Sequence, residues 1–212
     1  KMNEYGVFDV ADVDDPDAGQ RVGERVAGGT EAGMYEALDL PWIPPELRQD
    51  AGEIEAAAAG DLPALLAVDG LRGDLHVHTD WSDGNNTVAE MVEGAAAFGH
   101  DYVAITDHAT GPGMVGGVGV EDDDLRDQVE AVRDVAAEAD IEVFAGVEAN
   151  IDAEGGLSVA DDVLEALDLV IASPHSDLGG EGTDRLVTAV DHPEVDVLGH
   201  PTGRYINQRP GL

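Results

Sequence analysis

From Leu71 onward, short apolar runs alternate with longer amphipathic segments, and this alternation restricts the fold more than any other feature of the chain. Parallel strands need a crossover between them, and a helix with one apolar face is the usual crossover, so the pattern predicts an α/β domain on a parallel sheet. Strands are expected at 74–79, 102–107, 142–149, 169–174 and 196–199, and helices at about 88–98, 121–139, 159–166 and 183–190. In the second helix Leu125, Val129, Val132, Val135 and Ala136 recur at helical spacing, an apolar stripe to pack on the sheet.

The segment before Leu71 has a different texture. Residues 5–12 and 21–27 read as two strands joined by a turn-rich stretch at 14–19, a hairpin signal. Thr30 can cap a short helix over 31–38, stopped by Pro41. Residues 52–69 are alanine-rich and weakly helical, broken by Gly60 and Pro63. The organisation expected is a small α+β segment at 1–48, a linker at 49–72 and the α/β domain at 73–212.

Against 46 acidic residues stand 10 basic ones, of which Lys1 is the single lysine, for a formal charge of −36. The acid is spread along the chain, and such a surface repels itself in dilute buffer but is screened at ~1 M salt, where the Debye length is about 3 Å. This reads as adaptation to a high-salt cytoplasm, and the expected location is cytoplasmic. No apolar stretch reaches the ~20 residues of a membrane helix, so no membrane partner is expected. There is no cysteine, so disulfides and thiolate metal sites are excluded. No basic stripe marks a nucleic-acid interface; contact with DNA would have to run through metal ions and local arginines.

The chemistry gathers at the strand ends. His76 and His78 are two apart on one expected strand and so share a face, while Leu75 and Val77 pack behind them. Asp83 follows in a loop that can fold over them. Asp107 and His108 close the next strand, where burial without partners would cost several kcal/mol and metal coordination removes that cost. His108 reads as a ligand and Asp107 as a partner orienting an imidazole. Glu148 ends the third strand, where it reads either as a carboxylate able to bridge two cations or as a plain strand-end charge; His175 and His200 end the fourth and fifth. Arg204 is the basic residue near this set, suited either to a phosphate oxygen or to an ion pair with the acidic surface. His100 and His192 lie in polar contexts and read as solvated. The glycine-rich stretch 111–119 lacks the Lys-Ser/Thr ending of a nucleotide-cradling loop and reads as a flexible rim. Histidine and carboxylate ligands suit two or three divalent ions of zinc, manganese or iron, and phosphoester hydrolysis is the leading chemistry. Seven candidate ligands are too many for a single-metal deaminase.

These residues resemble the polymerase and histidinol phosphatase (PHP) domain family: Asp74-Leu75-His76-Val77-His78-Thr79 with Ser82-Asp83-Gly84, Ile105-Thr106-Asp107-His108, Gly146-Val147-Glu148, Ser173-Pro174-His175 and Gly199-His200-Pro201. The resemblance implies a distorted (βα)7 barrel. By it, His76, His78 and Glu148 hold a first metal, Glu148, His175 and His200 a second, and Asp83 with His108 a third. Water between the first two metals would attack phosphorus. Upstream, Asn3-Glu4-Tyr5-Gly6-Val7-Phe8 is similar to the end of the thumb of family X DNA polymerases, and Ile43-Pro44-Pro45-Glu46-Leu47-Arg48 to the bridge that follows it in prokaryotic members. Those enzymes join a nucleotidyltransferase to a PHP 3′–5′ exonuclease used in DNA repair, which makes DNA 3′ ends the implied partner; with the acid excess, the resemblance suggests a haloarchaeal source. The family pattern ends with an Asp-x-His pair that nothing after His200 supplies, and the polymerase palm is absent. The expectation is a fragment of about five βα units whose missing partners are the palm and the last PHP strands. A phosphatase of small phosphomonoesters such as histidinol phosphate, and a non-catalytic scaffold, are the alternatives.

Overall fold

The computed structural model describes residues 1–114, 118–179, 181–205, 207, 208 and 211. They form two compact units, Lys1–Leu66 and Ala67–Leu212.

The first unit is a three-stranded antiparallel sheet with short helices. Strand β2 (Gly6–Asp9) lies between β1 (Met2–Asn3) and β3 (Glu24–Ala27). The hairpin partner β3 was expected; β1 is too short to show a period, and it pairs because the Asn3 side chain accepts from Tyr5 N–H and closes a tight turn. Helix α1 (Glu31–Glu36) starts at Thr30, whose hydroxyl accepts from Gly33 N–H. A 3-10 turn (Pro45–Leu47) follows, and α2 (Glu53–Ala59) runs between left-handed Gly52 and Gly60, inside the stretch read as a linker.

The second unit is a five-stranded sheet in sequential order: β4 (Gly73–Val77), β5 (Tyr102–Ile105), β6 (Glu142–Asn150), β7 (Leu169–Ser173) and β8 (Val197–Leu198), every neighbouring pair parallel. Between them run α3 (Val88–Phe98), α4 (Asp122–Ala136), α5 (Asp161–Leu164) and α6 (Thr183–Val190). That is four strand–helix units and a fifth strand, the wall of part of a barrel. Helix α3 opens on a Thr87/Glu90 capping box and ends at left-handed Gly99. Helix α4 carries Asp122, Asp123 and Asp124 in its first turn and Arg133 in its last, as its dipole favours, and buries Leu125, Gln128, Val129 and Val132. Helix α5 is shorter than expected because the chain tightens at once into i→i+3 bonds, Ala166 to Val163 and Leu167 to Leu164.

The core lies between sheet and helices. Val77, Val103, Ile105 and Ala145 pack on Val88, Val92, Val129 and Val132, and Val147, Ala149 and Val170 pack on Leu125, Val163 and Leu164. In β6 the alternation sends Ala145, Val147 and Ala149 to the helices and leaves Glu148 and Asn150 on the opposite face. Strand β4 ends at Val77, one residue before His78, and Leu75 is exposed, not packed behind the histidines, because β4 is an edge of the sheet. No helix among the described residues is long and apolar enough to cross a membrane.

Candidate metal centre

Glu148 is the hub. Its side chain is 1% exposed, and five imidazoles face its two oxygens. Near Oε2 lie His76 Nε2 at 3.2 Å, His78 Nε2 at 3.5 Å and His108 Nδ1 at 2.8 Å. Near Oε1 lie His175 Nε2 at 3.4 Å and His200 Nε2 at 2.8 Å. Asp83 stands further out, 3.6 Å from His78 Nδ1 and 3.8 Å from His108 Nε2. The carboxyl ends of parallel strands β4 to β8 and the loops after them deliver all seven side chains to one edge of the sheet.

Among the described residues three overlapping groups have ligand atoms close enough to share an ion: His76, His78 and Glu148; His78, Asp83 and His108; His108, Glu148 and His175. The first matches the first-metal set implied by resemblance. In the third, His108 takes the place expected for His200, while His200 keeps a 2.8 Å contact to Glu148 from a half-exposed position.

The donor set fits divalent cations. Glu148 Oε2, His76 Nε2, His78 Nδ1 and His108 Nδ1 are buried yet make no well-directed hydrogen bond. A buried carboxylate oxygen and buried ring nitrogens left without directed partners are costly, and a cation among them would remove that cost. Burial opposes ionisation of Glu148, but the surrounding imidazoles, His108 foremost, outweigh it and hold its carboxyl far below the usual carboxylate range. Burial and the neighbouring His108 push His78 down, toward the neutral form a metal needs. His108 is lowered by burial but raised more by Glu148, and Glu148 likewise raises His200.

Asp107 does something other than orient an imidazole. Its buried carboxylate accepts from Thr79 N–H and Thr79 Oγ1, both at 2.7 Å, from Ser82 Oγ at 2.5 Å and from the Gln128 side-chain amide of α4. With those donors on its two oxygens it ties down the loop that presents Asp83. Gly84 completes that clamp: a Cβ there would lie 2.7 Å from the Thr79 carbonyl. Arg204 is exposed, and its guanidinium has no ion pair among the described residues.

His100 is half-buried against Phe98 with Nδ1 enclosed, so it is not freely solvated; His192 lies 3.6 Å from Asp161. Both stand apart from the cluster. In the glycine-rich stretch, residues 115–117 lie outside the described residues. The part before them is no free rim: Gly113, at φ 94°, sits so close to His175 that a Cβ would meet its carbonyl carbon at 2.6 Å. Asn150 was not singled out by sequence, although it lies two residues after Glu148 on the same strand face; it is fully buried and its Oδ1 is 2.6 Å from His175 Nδ1.

Fold and site together define an α/β domain with a histidine–carboxylate cluster that could hold divalent cations at the carboxyl edge of a parallel sheet. The chain belongs to the PHP domain family, which it matches over residues 74–198, and residues 1–49 match the DNA polymerase beta thumb. It is similar over its whole length to the DNA polymerase/3′-5′ exonuclease PolX of Bacillus subtilis, at 35% identity over 215 residues, which is 35% of that protein. Two probable phosphatases, of Caldanaerobacter subterraneus and Acetivibrio thermocellus, are each 36% identical over 137 and 136 residues, 60% of this chain and 51% and 53% of theirs. The chain thus spans about a third to a half of the length of these relatives.

Proposed function

We propose that this chain is the thumb end and PHP portion of a family X DNA polymerase, and that the site serves metal-dependent hydrolysis of phosphodiesters at DNA 3′ ends. The observation that carries the reading is a thumb match at residues 1–49 followed in the same chain by a PHP match that contains the histidine–carboxylate cluster apart from His200. Similarity over the whole of this chain to about a third of a protein named polymerase and 3′-5′ exonuclease supports it.

His76, His78 and Glu148 would hold one ion, Glu148 with His175 and His108 or His200 a second, and Asp83 with His108 and His78 a third. Zinc, manganese and iron fit ligands of this kind. Such ions, when bound, lower the pKa of water and stabilise charge on a phosphoryl group. Glu148 would serve both inner positions, since its two oxygens face different imidazoles. Asp107 holds the Asp83 loop in place. Arg204, four residues after His200 and without an ion pair among the described residues, would supply a guanidinium for a phosphate oxygen, and screening by salt lets an acidic protein approach DNA.

The test is to incubate metal-loaded protein with Mn2+ and a 5′-labelled single-stranded oligonucleotide in high salt. A ladder shortened from the 3′ end is expected. Intact oligonucleotide alongside cleavage of p-nitrophenyl phosphate would hand the site to the second reading, a phosphatase of small phosphomonoesters, which the two phosphatase relatives favour. Absence of bound metal by elemental analysis would leave a scaffold.

A further inference from the structure

We infer that Asn150 is a positioning residue that sets the tautomer of His175 and so aims a ring lone pair at Glu148 and at any cation held there; this rests on the metal-site reading above. Asn150 is the last residue of β6, fully buried, and on the face of the strand that carries Glu148. Its backbone is held on both sides: its N–H donates to Ser158 Oγ, its carbonyl accepts from Ser158 N–H, and it sits in register with Ser173 of β7. The side chain therefore has little freedom.

The orientation of its amide follows from what faces it. Asn150 Nδ2 lies 2.8 Å from the Ala109 carbonyl oxygen, which can only accept, so the nitrogen end must point there. The Ala109 carbonyl is itself placed by the strand, since Ala109 N–H donates to the Glu148 carbonyl. The oxygen end of the amide is then turned to His175 Nδ1, at 2.6 Å. An amide oxygen also only accepts, so Nδ1 carries the proton. In the neutral ring the lone pair is left on Nε2, the atom 3.4 Å from Glu148 Oε1. Two acceptors face each other at that distance, an arrangement that a cation relieves and that metal-binding histidines commonly show through their other ring nitrogen.

The test uses the full chain and two readouts. In EDTA-treated protein near pH 8, long-range 1H–15N spectra, with His175 assigned by its loss in H175Q, should show the Nδ1–H form. In N150A the ring should shift toward the Nε2–H form, and Mn2+ affinity, read from free Mn2+ by electron paramagnetic resonance, should fall about 10–100-fold. Asn150→Asp keeps the acceptor for His175 while giving up the bond to Ala109, so it should restore the tautomer and most of the affinity. An Nε2–H ring in the unmutated protein overturns the inference without recourse to any variant. Equal loss of affinity in N150A and N150D with the tautomer unchanged also overturns it, since that is what a merely structural residue would do. An Nδ1–H ring in a protein that binds no Mn2+ would uphold the role of Asn150 and sink the metal-site reading instead.

Discussion

Two carboxylates, Glu148 and Asp107, are buried at the ends of adjacent strands, and they differ in what faces them. Asp107 meets hydroxyl, amide and backbone donors, which satisfy it as an anion without a metal. Glu148 meets ring nitrogens, two of which, His76 Nε2 and His108 Nδ1, have no directed hydrogen bond. The consequences of removing each should separate in the same way. Asp107→Ala strands the Thr79 and Gln128 donors in the interior, and should lower stability by about 3 kcal/mol in urea unfolding, with looser metal binding as a secondary effect. Glu148→Gln keeps the shape but removes the charge shared by the cluster. Elemental analysis should show metal content collapsing, with affinity down more than about 100-fold, since loss of an outer partner alone reaches that size. Unchanged metal content in this variant would refute Glu148 as the bridging ligand.

At the scale of elements, the lengths of the α/β crossovers follow from local signals: the Thr87/Glu90 box starts α3, Gly99 stops it, and acidic residues open α4. The first unit is held differently. There Arg48 makes a two-pronged contact to Glu31 at 2.8 Å and also donates to the Ile43 carbonyl, pinning α1 to the turn beyond it. That contact, with help from the Trp42 indole, lowers the Glu31 carboxyl to about 2 from an ordinary 4.5. A depressed acid stabilises the fold above its unfolded value and stops doing so as pH falls through its folded one. The contribution of this pair is therefore full above pH 4.5 and fades between there and about 2. Arg48→Met should flatten this part of the pH dependence: the difference in melting temperature between wild type and variant should shrink as pH drops from 5 to 2.5, and a constant difference would show that the ion pair contributes nothing. The pair is exposed, so the effect is small.

For the molecule as a whole, a charge of −36 on 212 residues sets the solution behaviour. Thermal melts in rising KCl should show stability climbing from 0.1 M and levelling off above about 1 M, where screening is nearly complete; a melting temperature indifferent to salt would remove the high-salt reading. The alternation from Leu71 foretold the parallel sheet, the order of its elements and the gathering of His76, His78, His108, Glu148, His175 and His200 at strand ends with Asp83 in the loop beyond the first, because side-chain period and ligand chemistry are local properties of the residues. Which atoms meet was not legible. His76 and His200 are 124 positions apart, and their approach to one carboxylate depends on the register of five strands, which no local pattern encodes. Asp107 read as a ligand's partner because Asp-His at a strand end invites it, whereas tertiary packing turned its carboxylate to Thr79, Ser82 and Gln128. Asn150 passed unnoticed because an asparagine at a strand end has no chemical signature until a carbonyl and an imidazole are brought to its two sides. Residue types and their periodicity settled what kind of site this chain can build; the sheet, by closing distances that the sequence leaves open, decided which group serves as hub, which as clamp and which as guide.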